Sequence, residues 1–185
     1  MRPHRWTVAV TCIALAWSCR TATAPGGAGA GSARVLLTDA PPIDASVARV
    51  VAYIDHIDAS ASADSGNQTW TTLVAPHQKY DLLTLQNGTM ALLGTASLPP
   101  AEIREIRVAM NTDSSGVFRT DGSQATVHWG YAGSITVHVL VETPLQVLGA
   151  NPQILLDFNV ANSFVTDPSD ATAFNFLPWI RATTM

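Results

Sequence analysis

Acidic side chains are the first candidates for chemistry in this sequence, because carboxylate oxygens bind metal ions. Asp39 ends an apolar run and precedes the segment Ala40-Pro41-Pro42. With loop oxygens such as those of Asp44 or Asp157, it could hold Ca²⁺, which takes about six to eight oxygen ligands. The alternative, favoured because no DxDxDG-type loop is present, is a carboxylate that accepts main-chain N–H groups in a turn. Convergence of Asp39, Asp81 and Asp157 in space would support the metal site.

The segment Asp55-His56-Ile57-Asp58 also carries residue types that ligate metals. On a β-strand, His56 and Asp58 would share one face with Ile54. A transition-metal site would need a second histidine beside this segment, and the sequence alone does not place one there. We interpret these side chains as part of a solvated face and predict no metal ion and no cofactor. The histidines considered as partners are His128 and His138.

The motifs of nucleophilic catalysis and phosphate binding are missing from the sequence. No GxSxG motif is present, and the two cysteines are Cys12 and Cys19. The glycine-rich segment Gly130–Ser134 lies between two predicted strands, as a hairpin loop does, and lacks the lysine of a phosphate-binding loop. No pair of acids stands out for glycoside hydrolysis. We therefore predict that the protein is not an enzyme.

Three tryptophans in the body of the chain are candidates for a binding surface. Indole rings bury a large apolar area while their N–H group keeps a polar contact, so they serve both cores and ligand sites. We expect core or packing roles, and an exposed flat row of these rings would instead favour carbohydrate binding. The three residues are Trp70, Trp129 and Trp179.

Composition and charge exclude several classes of function. Hydrophobic residues make up 47% of the 185 residues and charged residues 13%, which is too apolar for a disordered chain. The formal net charge is -4, and Lys79 is the single lysine. Because no basic stripe is present, we predict no binding to nucleic acid.

The N-terminal residues indicate export. Two arginines precede the uncharged apolar stretch Trp6–Trp17, which has the length of a signal peptide and is too short to span ~30 Å of hydrocarbon as a helix. The stretch ends in Ala16-Trp17-Ser18-Cys19, which resembles a bacterial lipobox, whose cysteine is acylated and becomes the new N-terminus. We predict lipidation of Cys19. The alternative is ordinary signal cleavage near Ala22–Ala24 in a soluble secreted or periplasmic protein.

This pattern divides the chain into a signal peptide (1–18), a flexible tether (19–32) and one folded domain (33–185). The tether is rich in Gly, Ala, Ser and Thr, a composition that cannot bury a core. No cysteine follows Cys19, so the domain can form no disulfide. The expected location is extracytoplasmic, at the bacterial cell envelope and in particular the outer membrane.

The body of the chain has the period of β-strands. Ile135, Val137, Val139 and Val141 alternate with other side chains, as do Ile154, Leu156, Phe158 and Val160. Such alternation predicts strands with one face in a core, and Asn-Gly, Asp-Gly and Asp-Pro pairs between the strands predict turns. We predict an all-β fold, an antiparallel sandwich of about seven to nine strands with at most one or two short helices.

Three segments are harder to interpret. Residues 101–110 fit a helix opened by Pro100, but we favour a strand that points Ile106, Val108 and Met110 inward. Thr89–Leu93 is predicted to be a single helical turn. Phe174–Arg181 is predicted to be one closing edge strand with Phe176 in the core, because Pro178 cannot donate a ladder hydrogen bond.

Several motifs occur in a distinctive order along the chain. They are Leu37-Thr38-Asp39-Ala40-Pro41, Tyr80-Asp81-Leu82-Leu83, Leu98-Pro99-Pro100 and Leu156-Asp157-Phe158-Asn159, closed by Leu177-Pro178-Trp179. In this order they resemble the bacterial domain-of-unknown-function 4382 family over roughly Ala33 to Arg181. The resemblance implies an exported lipoprotein with an LTDAP-type first strand, and it implies no activity. The chain departs from the family in Pro100-Ala101-Glu102-Ile103, which replaces a Gly-Tyr pair, and in Asn159, which replaces an acid.

These observations predict an exported, lipid-anchored envelope protein whose domain serves binding, adhesion or assembly without catalysis. Its expected partners are the membrane, through the lipid on Cys19, and an envelope protein or glycan. The alternative is a carbohydrate-binding or accessory domain of an enzyme that acts on envelope polysaccharide. An accessory domain of that kind would show a concave pocket with converging acids or histidines.

Overall fold

A computed structural model describes residues 31–39, 44–64, 66, 68–98, 101–147 and 152–185. These residues form strands, one α-helix and one 3-10 helix. The strands are β1 (Gly31–Asp39), β2 (Val47–Ser60), β3 (Thr71–Val74), β4 (Gln78–Asp81), β5 (Ala91–Leu98), β6 (Ala101–Ile103), β7 (Glu105–Arg119), β8 (Gln124–His128), β9 (Ser134–Val139), β10 (Leu145–Val147), β11 (Gln153–Phe158), β12 (Phe164–Asp167), β13 (Asp170–Phe176) and β14 (Ile180–Thr184). The helices are the 3-10 helix Leu82–Leu85 and the α-helix α1 (Val160–Ser163).

Alternation of apolar and polar residues accounts for the strands that carry the core. In β11, Ile154, Leu156 and Phe158 are buried, whereas the residues between them are partly exposed. This is the burial that a strand with one face on a core requires, since successive side chains point to opposite faces. Burying each of these large side chains stabilises the fold by roughly 1.5–3 kcal/mol before entropy is counted.

The strands form two main sheets and a small ribbon. One sheet has the order β14-β11-β1-β5, with β1 and β11 parallel. The larger sheet has the order β12-β13-β8-β7-β2-β3, with β4 also paired to β2 and β9 to β7. β6 and β10 form a separate two-stranded ribbon. Apolar side chains of both main sheets share one buried cluster, which includes Leu37 and Leu156 of the smaller sheet and Ile57 and Ile106 of the larger. The predicted all-β sandwich is thereby confirmed.

The sandwich contains more strand segments, many of them short, than the sequence predicted. The described residues contain fourteen strand segments rather than seven to nine, because long strands face several short partners, as β2 faces both β3 and β4. The pairing is also mixed, since β1 with β11 and β8 with β13 are parallel. The one α-helix and one 3-10 helix agree with the prediction of short helices.

Two of the three segments that the sequence left ambiguous, residues 101–110 and Thr89–Leu93, have different outcomes. Residues 101–110 are extended in β6 and β7, as predicted, with Ile106, Val108 and Met110 buried. The prediction of a helical turn at Thr89–Leu93 is wrong. The helical turn lies earlier, at Leu82–Leu85, and β5 begins at Ala91, where it pairs with β1.

The predicted closing strand Phe174–Arg181 is in fact two strands in different sheets. Its first half belongs to β13 of the larger sheet and its second half to β14, an edge of the smaller sheet. The chain crosses between the sheets at Leu177, Pro178 and Trp179, where the proline lacks the N–H group that a ladder needs. Phe176 lies in the core as predicted.

The two sheets are also linked on this side of the molecule by a parallel bridge between Leu140, which follows β9, and Arg181 of β14. The Leu140 N–H donates to the Ile180 carbonyl at 2.8 Å, and the Ala182 N–H donates to the Leu140 carbonyl at 3.0 Å. This bridge joins β14, at an edge of the smaller sheet, to the chain that follows β9 of the larger sheet, and we call this junction the seam at Leu140.

The predicted signal peptide and Cys19 lie outside the described residues. β1 begins at Gly31, two residues before the predicted start of the domain. Among the residues described, no helix has the length and apolar character needed to cross a membrane.

Candidate functional site

A row of polar side chains crosses the outer face of the larger sheet. Thr72 of β3, Asp58 of β2, Arg107 of β7 and His138 of β9 are successive partners across four neighbouring strands. Thr72 Oγ1 donates to Asp58 Oδ1 at 2.7 Å, and Arg107 Nε and Nη2 donate to Asp58 Oδ2 at 2.9 and 2.8 Å. The Arg107 guanidinium carbon also lies 4.2 Å from the ring centroid of Trp70. These contacts fix Arg107 between a carboxylate and an indole.

Asp58 is only 3% exposed, yet it stays charged. Burial alone would raise the pKa of this carboxyl group, but hydrogen bonds from Thr72 and Arg107 and the nearby charges of His56 and Arg107 outweigh it. The pKa of Asp58 therefore lies below its usual value. Since hydrogen bonds and positive charge favour the ionised form, this arrangement is a satisfied ion pair rather than an open ligand site.

In the segment Asp55-His56-Ile57-Asp58, Asp55 contacts two histidines, one next to it in the sequence and one in a distant part of the chain. Asp55 Oδ2 lies 2.9 Å from His56 Nδ1, and Asp55 Oδ1 lies 2.7 Å from His77 Nδ1. Ile54 is buried with Ile57, so the expectation that Ile54 shares a face with His56 and Asp58 is wrong. The register of β2 against β7 shifts between Ile54 and His56, and this bulge reverses the alternation of faces.

The partner histidine in this cluster is His77, which the sequence did not point to because it follows a turn 22 residues away. His128 lies instead beside Asp167, with Nε2 3.5 Å from Oδ2. His138 packs edge-on against Trp70, with ring centroids 6.3 Å apart. In the portion of the chain that is described, no group of three or more His, Cys, Asp and Glu side chains is arranged to hold a metal ion.

The three aspartates of the possible calcium site occupy separate places. Asp39 is buried, and its Oδ1 accepts the Val160 N–H at 3.1 Å, at the start of α1. Asp39 pairs with Phe158 and not with Asp157, so the two carboxylates leave the sheet on opposite faces. Asp81 lies in the larger sheet at the end of β4, where burial raises the pKa of its carboxyl group against hydrogen bonds from main-chain N–H groups. Asp44 Oδ1 accepts the Ser46 N–H in a local turn.

The three tryptophans have different surroundings and do not form one flat row. Trp129 is partly buried and packs against Phe176 and Phe164 of the core, with ring centroids 4.8 and 5.7 Å apart. One face of Trp70 is covered by Arg107. Trp179 is 43% exposed, and the nearest guanidinium carbon, that of Arg181, lies 5.8 Å from its ring centroid. Trp179 is therefore the most open of the three indole rings.

Two cavities have Trp179 in their lining. One, of 240 Å³, is lined by Trp179, Leu140 and His138 with the adjoining Pro178 and Ile180. The other, of 260 Å³, is lined by Trp179 and four polar residues. We call these two cavities and the indole ring that they share the Trp179 surface. The four polar residues of the second cavity are Asp157, Asn159, Asn162 and Arg181.

The backbone of Trp179 is held in place from both sides. Its N–H donates to Ser163 Oγ at 2.9 Å, and its carbonyl accepts the Asn159 N–H at 3.0 Å. Asn159 Oδ1 in turn accepts the Asn162 N–H at 2.9 Å, which caps α1. A ring whose main chain is fixed in this way loses little freedom when it binds, which favours affinity.

The electrostatics of the second cavity centre on Asp157. Burial raises the pKa of this carboxyl group, and the charge of Arg181, its partner across β11 and β14, opposes the increase. Arg181 Nη2 lies 3.2 Å from Glu142 Oε1, so its charge is shared between two acids. Asp157 is therefore partly desolvated at the edge of an open cavity, which is a common state of a ligand-binding group.

Comparison with known proteins gives one family. The model of the family described as "Domain of unknown function (DUF4382)" matches residues 30–178. The chain belongs to the DUF4382 family. No curated protein and no solved structure matches it.

The motifs that carry the likeness to DUF4382 meet inside the fold. Leu37, Thr38 and Asp39 of β1 pair in parallel with Leu156, Asp157 and Phe158 of β11. Thr38 Oγ1 donates to the Leu85 carbonyl at 3.0 Å. This hydrogen bond connects these strands to the 3-10 helix Leu82–Leu85, which begins within the Tyr80-Asp81-Leu82-Leu83 motif. The DUF4382 match ends at residue 178, so Asp157 lies within it and Trp179 and Arg181 lie beyond it.

Proposed function

We propose that this DUF4382 protein is exported, anchored in the bacterial envelope by a lipid on Cys19, and binds an envelope ligand through the Trp179 surface without catalysing a reaction. The observation that carries the binding role is the half-exposed indole of Trp179, which lines two cavities. A solvated surface normally exposes apolar residues singly, but Trp179 and Leu140, which is 47% exposed, line the same cavity. Exposed aromatic side chains at cavities are typical of binding sites.

The polar residues near this surface support binding rather than catalysis. Asp157, Arg181 and Glu142 are arranged as neighbouring opposite charges. A general acid and base, or a nucleophile and its base, would need to lie within hydrogen-bond reach of one reacting atom. The second cavity offers one carboxylate, two amides and a guanidinium, which suits recognition of a polar ligand.

Lipidation is proposed from the charged start, the apolar stretch and the small Ser18 before Cys19. Cells that produce the full chain are expected to attach an alkyne-labelled fatty acid to it, and the Cys19→Ala variant is expected to lose that label. The matched control is Cys12→Ala, which changes a cysteine inside the apolar stretch. Equal labelling of Cys19→Ala and the parent chain would contradict the anchor and favour the soluble secreted alternative.

Ligand binding can be tested in intact cells with a photoreactive side chain. We expect p-benzoylphenylalanine at position 140, on the seam beside Trp179, to form ultraviolet-dependent adducts in the full chain. The same group at position 131 is expected to form none, since Tyr131 is 80% exposed in the loop between β8 and β9 and lines neither cavity. This loop is not the predicted hairpin, because β8 and β9 both pair with β7 and not with each other. A second change, Trp179→Ala, should remove the adducts formed at position 140. Equal adducts at both positions, or none at position 140, would refute the binding role.

A further inference from the structure

The Trp179 ring is suited to stacking because protein side chains cover its faces less than they cover the faces of the other two indole rings. Arg107 covers Trp70 at 4.2 Å, and Trp129 packs against Phe164 and Phe176 of the core. The Arg181 guanidinium carbon lies 5.8 Å from the Trp179 centroid, near the ~6 Å limit of a cation–π contact. An apolar, flat ligand face can therefore approach this ring.

The polar groups beside the ring provide both donors and acceptors. Asp157 carries an acceptor-only carboxylate, and Arg181 carries a donor-only guanidinium. Asn159 uses its carbonyl oxygen to cap α1, which leaves its NH₂ group to donate. A hydroxyl group both donates and accepts, so adjacent hydroxyls can satisfy this mixed set together, whereas a purely apolar ligand would displace water from Asp157 without replacing its hydrogen bonds.

The charges near the ring argue against an anionic ligand. Arg181 faces the two acids Asp157 and Glu142, so the cavity has no excess of positive charge. The whole chain has a formal net charge of -4, which also repels polyanions at long range. The ligand class that combines an apolar flat face with neutral hydroxyl groups is an uncharged saccharide.

Two small cavities that share one aromatic residue indicate more than one sugar unit. Their volumes, 240 and 260 Å³, are each below the range of about 300–1,000 Å³ for pockets that hold a whole drug-sized ligand. Each fits a small unit, and a chain of two or more units would contact Trp179 while it occupies both cavities.

We propose that the Trp179 surface binds an uncharged oligosaccharide, with the indole stacked on a sugar face and with Asp157, Asn162 and Arg181 bonded to its hydroxyl groups. This inference rests on the proposed binding function and adds the class of ligand. It also separates the sugar-stacking tryptophan from Trp70 and Trp129, whose rings are covered by other side chains.

Affinity electrophoresis of the full chain, purified in a non-ionic detergent, tests the ligand class. The probes are four soluble uncharged polysaccharides cast into native gels: a β-1,3-glucan, an α-1,6-glucan, a β-1,4-xylan and an α-mannan. The anionic polysaccharide alginate is the charge control. We expect at least one uncharged polymer to slow the parent chain and Trp179→Ala to weaken that binding by tenfold or more. The exposed-aromatic control, Tyr131→Ala, should bind as the parent does.

Two further variants keep the test decisive if Trp179→Ala fails to fold. Asn162 is exposed, so Asn162→Ala should leave the melting temperature unchanged and weaken binding severalfold. Trp179→Phe keeps an aromatic face and should retain part of the affinity. No retardation by any of the four uncharged polymers, retardation by alginate alone, or parent-like binding of both Trp179→Ala and Asn162→Ala would overturn the inference.

The adducts formed at position 140 separate this inference from the binding function on which it rests. Trypsin digestion and mass spectrometry of the adducts identify what is attached to the peptide that carries position 140. Attached sugar units that periodate degrades would support a saccharide ligand. An attached peptide of another protein would identify a protein partner, so that the saccharide inference fails while binding by the Trp179 surface stands.

Discussion

A chain truncated after Asp170 is expected to lose its cooperative unfolding transition altogether. The deletion removes most of β13 from the larger sheet and all of β14 from the smaller sheet. It also takes away the buried side chains Phe174, Phe176 and Ile180. At roughly 1.5–3 kcal/mol each, their loss is comparable with the ~5–15 kcal/mol that stabilises a typical domain, and the lost strand pairing adds to it. Thermal melting followed by circular dichroism is the measurement, with size-exclusion chromatography to detect aggregation.

The matched control for this truncation removes only Thr184 and Met185, which are exposed at the end of β14. This short deletion should change the melting temperature by no more than a few degrees. If the longer truncation melted cooperatively at the parent's temperature, β13 and β14 would be peripheral and their place in both sheets would be wrong.

Replacing Phe176 with alanine is expected to cost about 3–5 kcal/mol of the free energy of unfolding. Phe176 is 7% exposed and is the meeting point of an aromatic cluster, with ring centroids 4.8 Å from Trp129 and 5.1 Å from Phe164. Phe158 lies 6.5 Å away on the smaller sheet, so the side chain joins the two layers. Truncation would leave a cavity among rings that cannot easily collapse, because each is held on a different strand. Urea unfolding of the purified protein measures the change.

Leu177→Ala is the control for Phe176→Ala, because the neighbouring side chain is 59% exposed. It should change the free energy of unfolding by about 0.5 kcal/mol or less. A loss of stability in Phe176→Ala no larger than that of Leu177→Ala would show that the aromatic cluster does not join the sheets.

The local alternation of apolar and polar residues was sufficient to predict most of the strands, because this alternation requires only that one face of each strand meets a core. The prediction for β11 succeeded on this basis, since Ile154, Leu156 and Phe158 are all buried. It failed where the backbone departs from regular alternation. The bulge after Ile54 and the crossing between sheets at Pro178 both depend on partners distant in sequence, which the local pattern does not contain.

The candidate site was less predictable than the fold for the same reason. The sequence singled out Trp179, but its exposure follows from the chain leaving one sheet and entering the other at that point. The contact of Asp55 with His77 and the row from Thr72 to His138 arise from pairing registers among strands that are far apart in the chain. Among the predicted residues, Asp157 and Trp179 come together, whereas Asp39 and Asp81 lie elsewhere.

The place of β1 in its sheet has a mechanical consequence. Pulling on Gly31 along the axis of β1 loads a strand that has a neighbour on each side, β5 from Gly31 to Leu37 and β11 from Arg34 to Asp39. Inter-strand hydrogen bonds run across the strands, so such a load shears them together instead of opening them one after another. The two neighbours share the force, and the domain resists extraction by its N-terminal end more strongly than it would if β1 lay at an edge.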